Sequence, residues 1–401
     1  MNALNPLNTI VTALGQGQIP SASQRQQLID WELSVLPRVM AWQICDHRFD
    51  DHQICDHQIY DYQIYDHQIS HSLVGEAIER RAKLLQSLCQ SGTLLDPGLP
   101  LPGQWTDWIV PLWTYWLPLA DKLDRQQRAL GAPFIQGILG AQGTGKTTLT
   151  QILCLLLEQL GHQSVAFSID DLYLTYAQRC QLQQADPRLV WRGPPGTHDI
   201  DLGVQTLKRI KQTAPCSPTD TPAESPQIQV PRFDKSLQAG QGDRIPSSLH
   251  PAPTITLFEG WFVGARPVAD SLFTHENTTL PAPIITASDR QFARDCNHRL
   301  QAYLPLWEFL DSLIVLYPED YRLSQQWRQH AERAMQAQGK PGLCEQDIAD
   351  FVTYFWKALH PELFITPLTV SAQTSLVVNI RPDHSLGKLY SPGLDYGYSQ
   401  L

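Results

Sequence analysis

Between a short apolar run, Phe134 to Leu139, and a stretch in which Leu149, Ile152, Leu153, Leu156 and Leu160 recur at helical spacing, lies Gly140-Ala141-Gln142-Gly143-Thr144-Gly145-Lys146-Thr147. No other segment restricts the fold so tightly. The octapeptide fits GxxxxGK[ST] in its strand-to-helix setting. Its glycines let the backbone turn N–H groups inward, and the helix that follows offers its positive end; together they cradle phosphate. Lys146 is placed to bridge β- and γ-phosphates, the Thr147 hydroxyl can reach Mg²⁺, and Gly140 through Thr148 form the candidate nucleotide-binding segment. A dinucleotide fingerprint would need GxGxxG, but after Gly143-Thr144-Gly145 the third glycine position holds Thr148.

Around this loop the sequence alternates apolar runs with helical patterns from Pro133 onward. That texture signals a mainly parallel sheet with crossover helices. Candidate strands are Phe134 to Leu139, Ser164 to Phe167, Thr254 to Phe258, Leu313 to Leu316 and Ser375 to Ile380. Thr213 to Gln227, with four prolines, and Val268 to Ser288 read as loops, and Asp320 to Phe355 as a helix pair broken at Gly339 to Gly342. A chain of 401 residues suggests two or three domains at roughly 150 residues each. The motif map instead predicts a mostly helical region, 1–130, ahead of one dominant α/β domain, 131–390, that carries the phosphate loop. The first carries a tract of five-residue repeats over 43–71 (QICDH, RFDDH, QICDH, QIYDY, QIYDH). A period of five buries no continuous face, and its histidines match no compact metal-ligand spacing, so the tract reads as a low-complexity insertion.

The net charge of −10 argues against nucleic acid or an anionic membrane as partner. Any anionic ligand must be held by a local basic site. Scattered single cysteines, the lack of a leader pattern and the lack of any apolar run of the ~18 residues needed to span a membrane lead to the expectation of a cytoplasmic protein with reduced thiols. Oligomeric state is not legible, and a monomer is compatible with everything above.

Two acids follow candidate strands. Asp170, in Ser168-Ile169-Asp170-Asp171-Leu172-Tyr173, stands where a carboxylate can take a proton from an acceptor hydroxyl or help hold Mg²⁺, whereas Asp171 reads as a helix cap. Glu259, in Phe258-Glu259-Gly260-Trp261, can orient Mg²⁺. Between them lie two polar clusters, both read as lying outside regular elements. One runs from Trp191 to Asp199 and contains Arg192, His198 and Asp199; the other runs from Val230 to Arg244 and contains Arg232, Asp234, Lys235 and Arg244. Arginines interleaved with glycines and acids suit a small polar anion, since a guanidinium can hold a carboxylate through two parallel hydrogen bonds.

The set GAQGTGKTT, SIDDLYLT, RGPPGTHD, VPRFDKSLQAGQGDR and LFEGWFVG resembles the plant-type D-glycerate 3-kinase family, among the P-loop kinases related to uridine kinase, phosphoribulokinase and pantothenate kinase. The likeness covers roughly residues 100–385. It implies a P-loop NTPase-type three-layer α/β sandwich with a mainly parallel sheet, a helical N-terminal extension and a helical lid. It also implies ATP- and Mg²⁺-dependent phosphorylation of D-glycerate to 3-phospho-D-glycerate, the closing step of photorespiratory glycolate recycling. Within it Lys146 and Asp170 are catalytic, as is Arg328 from the segment resembling the lid. Thr147, Asp170 and Glu259 are metal-side residues, and Tyr173, Arg192, His198, Asp199, Arg232, Asp234, Lys235 and Arg244 are substrate-side. The competing readings are another small-molecule P-loop kinase, of uridine, phosphoribulose or pantothenate type, and a nucleotide-binding regulator without transfer activity.

Overall fold

The computed structural model describes residues 5–35, 71–91, 108–214, 226–275, 278–337 and 344–392. The repeat tract lies outside them except for His71, as do residues 215–225 of the proline-rich loop and the break at 339–342. Contacts divide the chain into two units, Met1–Ala129 with Gln151–His162, and Leu130–Thr150 with Gln163–Leu401.

The first unit contains helices α1 (Asn5–Gly15), α2 (Ala22–Val35) and α3 (His71–Gln90), then a π-helical turn (Leu112–Trp116) that runs into α4 (Leu117–Leu130). The turn and the start of α4 form a packed element: Trp113 is fully buried, and the guanidinium of Arg81, itself only 2% exposed, lies 5.3 Å from the centre of its ring. Among the described residues no helix is long and apolar enough to cross a membrane. Cys89, Cys180, Cys296 and Cys344 form no disulfide.

The second unit is built on a six-stranded sheet in the order β2-β5-β1-β6-β7-β8, with helices on both sides. Its strands are β1 (Phe134–Gly140), β2 (Ser164–Ser168), β5 (Ile255–Gly260), β6 (Ser312–Pro318), β7 (Leu376–Ile380) and β8 (Leu386–Tyr390). All neighbouring pairs are parallel except β7 with β8. Every residue of β1 is buried, as are nearly all of β5 and β6. Burial on both faces is why these strands are continuous apolar runs rather than alternating ones. Phe167 and Phe258 stack at 4.9 Å in the core that the sheet shares with Leu207, Ile210 and Phe262.

All five expected strands are present, but one of the two polar clusters read as lying outside regular elements contributes to strands as well. Residues of the Val230 to Arg244 cluster belong to an antiparallel hairpin of β3 (Gln227–Asp234) and β4 (Asp243–Pro251). The sequence hides it for a physical reason. Pro231 sits where the register shifts between Val230 and Arg232, Pro246 interrupts β4, and much of β4 faces solvent, so no period-two pattern survives.

Register sets up the site. Ser168 of β2 pairs with Glu259 of β5, which in turn pairs with Ile138 of β1, two residues before the phosphate loop. The carboxyl ends of three adjacent strands therefore open onto one place.

Candidate active site

The loop after β1 enters helix α5 (Lys146–Gln159). Gly143 has φ +82°, and a Cβ there would lie 2.7 Å from Trp327 Cβ, so both backbone conformation and space demand glycine. The loop closes on the Ala141 carbonyl, which accepts from Thr144 Oγ1 at 2.8 Å and from Lys146 Nζ at 3.0 Å. Thr147 is exposed beside them. Gly143→Ala is expected to lower stability by about 1–3 kcal/mol and to weaken the thermal shift produced by ATP. Melting curves with and without nucleotide would decide the matter; a variant matching wild type in both would contradict the role given to this glycine.

After β2 the chain makes a short 3₁₀ turn, Ile169–Leu172, capped by Ser168. Ser168 Oγ accepts from the Asp170 N–H, and Asp171 accepts from the Ser168 N–H at 3.1 Å. Asp171 is thereby the capping acid, and it also receives Arg232 at 3.2 Å. Asp170 is left to the site: Tyr173 donates its hydroxyl to Oδ1 at 2.8 Å and Lys235 its ammonium to Oδ2 at 2.6 Å. Burial pushes the Asp170 pKa up, but the Lys235 charge and these hydrogen bonds outweigh it and hold the carboxyl below its ordinary value. Glu259 goes the other way. Its burial dominates the pull of Lys146, with repulsion from Asp170 adding to the rise. Burial likewise lowers Lys146, against the attraction of Glu259 and Asp170. Two carboxylates and two ammonium groups thus act on one another at the strand ends.

Thr147, Asp170 and Glu259 supply hard oxygen donors, the right chemistry for Mg²⁺, which commonly takes one or two carboxylates and completes its shell with phosphate and water. Among the described residues no group of three His, Cys, Asp or Glu side chains could by itself hold a metal. The donor set fits a cation that arrives with phosphate rather than one caged by protein.

The loop from Trp191 to Asp199 is laced to the strand-end turn by backbone bonds, Leu174 N–H to Thr197 O at 3.0 Å and Asp199 N–H to Leu172 O at 2.7 Å. This places His198 face to face with Tyr173, ring centres 4.6 Å apart. His198 Nδ1 meets the Tyr303 hydroxyl at 2.7 Å, and its Nε2 has no partner among the described residues. Burial lowers its pKa to about 3, against the pull of Asp170, so the ring is neutral at pH 7.

The structure thus brings Lys146, Asp170, Tyr173, His198, Lys235 and Glu259 together. Others among the expected substrate-side residues are held by internal contacts. Arg232 uses Nε on Ser248, Nη1 on Asp171 and the Ala166 carbonyl, and Nη2 on His250. Arg244 spans the Tyr173 carbonyl and Asp199, which itself caps helix α7 (Ile200–Gln212), where α6 is Tyr176–Ala185. Asp234 accepts from the backbone and hydroxyl of Ser236 in the hairpin turn. Among the described residues Arg192 hydrogen-bonds to the carbonyls of Gly240 and Gln241 alone. On the lid side, after α8 (Ala287–Leu300), helix α9 (Leu323–Ala337) packs Trp327 against the phosphate loop. The next residue, Arg328, pairs along its own helix with Glu332 at 2.6 Å and lies 5.6 Å from the Phe351 ring of α10 (Glu345–Ala358). Sequence reasoning missed Ser168 and Tyr303 as supports. A serine two residues before a strand-end acid is a cap signal that could have revealed the first; Tyr303 acts across 105 residues and carries no local signal.

No protein-family model matches the chain. The chain is similar to the chloroplastic D-glycerate 3-kinase of Arabidopsis thaliana, 29% identical over 311 residues covering 73% of this chain and 62% of that protein. It therefore spans less than two thirds of the length of the plant relative. It is also 30% identical over 241 residues to the uncharacterized kinase mug58 of Schizosaccharomyces pombe, covering 58% of this chain and 82% of that one. Among solved structures, the D-glycerate 3-kinase of Cryptococcus neoformans var. grubii aligns with a TM-score of 0.57 at 24% identity, over 68% of this chain and 96% of that one. That likeness shows the shared fold.

Proposed function

The chain belongs to the plant-type D-glycerate 3-kinase family of P-loop kinases, and from that premise we propose that it transfers the γ-phosphoryl group of ATP to the primary hydroxyl of D-glycerate, giving 3-phospho-D-glycerate. The observation that carries this reading is the ionised Asp170 at the end of β2, within electrostatic reach of the Lys146 ammonium and outside the capping role that Asp171 fills. Phosphoryl transfer needs little covalent help from protein, so positioning and charge neutralisation dominate. Lys146 and the loop N–H groups hold the phosphates. Asp170, steadied by Tyr173 and Lys235, orients the acceptor hydroxyl and receives its proton. Thr147 and Glu259 would hold Mg²⁺, which when bound neutralises charge on the transferred group. Arg328 would add a second cation from the lid side after leaving Glu332.

The same proposal places the enzyme in the cytoplasm and its reaction in photorespiratory glycolate recycling. A coupled ADP assay over D-glycerate, L-glycerate, uridine, ribulose 5-phosphate and pantothenate, with the position of the product phosphate identified, tests the core of it. Turnover is expected with D-glycerate and at its 3-hydroxyl. A signal only with one of the other acceptors overturns the substrate, and no acceptor-dependent ADP release overturns the enzyme.

A further inference from the structure

We infer that Arg192 is the residue that holds the carboxylate of the acceptor, through the Nε and Nη2 edge of its guanidinium. The inference rests on the proposed reading of the acceptor as a small hydroxy acid, and it separates one arginine from the three the sequence offers. Arg232 spends all its nitrogens on Ser248, Asp171, Ala166 and His250, and Arg244 is paired with Asp199. Lys235 is engaged with Asp170. Arg192 differs from all of these. Among the described residues it has no carboxylate partner, and its hydrogen bonds run from Nη1 alone, to the carbonyls of Gly240 at 2.9 Å and Gln241 at 3.0 Å. Those bonds fix the plane of the group and leave the side-on fork, the geometry that takes a carboxylate bidentately.

Its position suits the task. The Arg192 guanidinium carbon lies 5.9 Å from the centre of the Tyr173 ring and 5.7 Å from that of Phe233. The hydroxyl of Tyr173 is the one bonded to Asp170 at 2.8 Å. A three-carbon acid whose 3-hydroxyl meets Asp170 would therefore extend its carboxylate across one phenol ring toward Arg192. The surroundings also favour an anion there. Arg179 lies 5.1 Å from the other ring that Arg192 covers, Phe233, and among the described residues it donates to the carbonyls of Leu174, Gln241 and Gly242 rather than to a carboxylate. Burial and the neighbouring Arg192 charge both depress the Arg179 pKa, a repulsion that a bound anion would relieve. A buried donor-or-acceptor atom without a partner among the described residues, His198 Nε2, lies on the ring stacked against Tyr173 and offers a polar contact to the same ligand.

The test pairs turnover with direct binding. Arg192→Ala, Arg192→Lys and Arg192→Gln are compared with wild type for the KM of D-glycerate and of ATP, and for calorimetric binding of D-glycerate; the glutamine variant keeps an N–H donor for the Gly240 and Gln241 carbonyls. The expected result is a loss of D-glycerate affinity of about 10- to 100-fold in the alanine and glutamine variants, a smaller loss in the lysine variant, and an ATP KM within about twofold of wild type. Preference for D-glycerate over glycerol, which lacks the carboxylate, should fall in parallel. Equal D-glycerate binding in wild type and Arg192→Gln overturns the assignment even if turnover proves the reaction. Arg192-dependent binding without turnover upholds it and strikes only the proposed reaction. Absence of D-glycerate binding by wild type overturns both.

Discussion

Lys146→Ala is expected to reduce kcat by about three orders of magnitude while leaving the melting temperature near that of wild type. The two halves of that expectation come from different features. Among the described residues Lys146 makes no close ion pair; its ammonium bonds to the Ala141 carbonyl at 3.0 Å, and the same carbonyl is also served by Thr144. Deleting it therefore leaves no buried acceptor orphaned in the loop. Its electrostatic work is another matter. Burial lowers the pKa of Lys146 while Glu259 and Asp170 raise it, so a cation is held in a partly dry site against its own desolvation. Such a preset charge is worth most when negative charge shifts along a transferring phosphoryl group. Arginine should not restore activity, because a planar fork cannot replace a compact ammonium inside the loop. The coupled ADP assay with saturating ATP decides it. An alanine variant retaining a tenth of wild-type turnover would remove Lys146 from the mechanism.

How far the site could be read from sequence depends on how far apart in the chain its parts lie. The phosphate loop, the helix that follows and the strand-end acids were legible because each is a local pattern bounded by a buried parallel strand. The assignment of Asp170 over Asp171 was half legible. Asp171 was expected as the cap from its place alone, and only the Ser168 N–H it accepts shows which group it caps. The arginines were not legible at all. Asp171 lies 61 residues from Arg232, and Asp199 lies 45 residues from Arg244. Only the fold shows that these cations are already neutralised and that Arg192 is not. The β3–β4 hairpin that carries most of them was missed for a related reason. It is a two-stranded ribbon, and prolines with exposed side chains erase the periodicity that marks the central strands.

Asp170→Asn should cut kcat by roughly 10²- to 10⁴-fold and change the KM for ATP little, because the phosphates are held by the loop and not by this side chain. The substitution is nearly isosteric. An amide can still accept from Tyr173 and stay beside Lys235, so the loss would report the missing charge rather than a displaced ring. Lys235 is 61% exposed, and a screened pair of that kind adds little to stability, so the melting temperature should hold. The pH dependence gives an independent check. The depressed pKa of Asp170 keeps it ionised through neutrality and below the ordinary carboxylate value of about 4. Any loss of wild-type kcat on going from pH 8 to pH 5 must then come from another group, and Glu259, whose pKa burial raises, is a candidate. The asparagine variant should accordingly show the same acid limb as wild type at a uniformly lower rate, and Glu259→Gln should remove that limb. Tyr173→Phe separates receiving the proton from merely being positioned: if Asp170 served only to hold the tyrosine, the two substitutions would cost the same. Should Asp170→Asn turn over at the wild-type rate, the proton acceptor must be sought elsewhere in the site, and the neutral His198 ring becomes the next candidate.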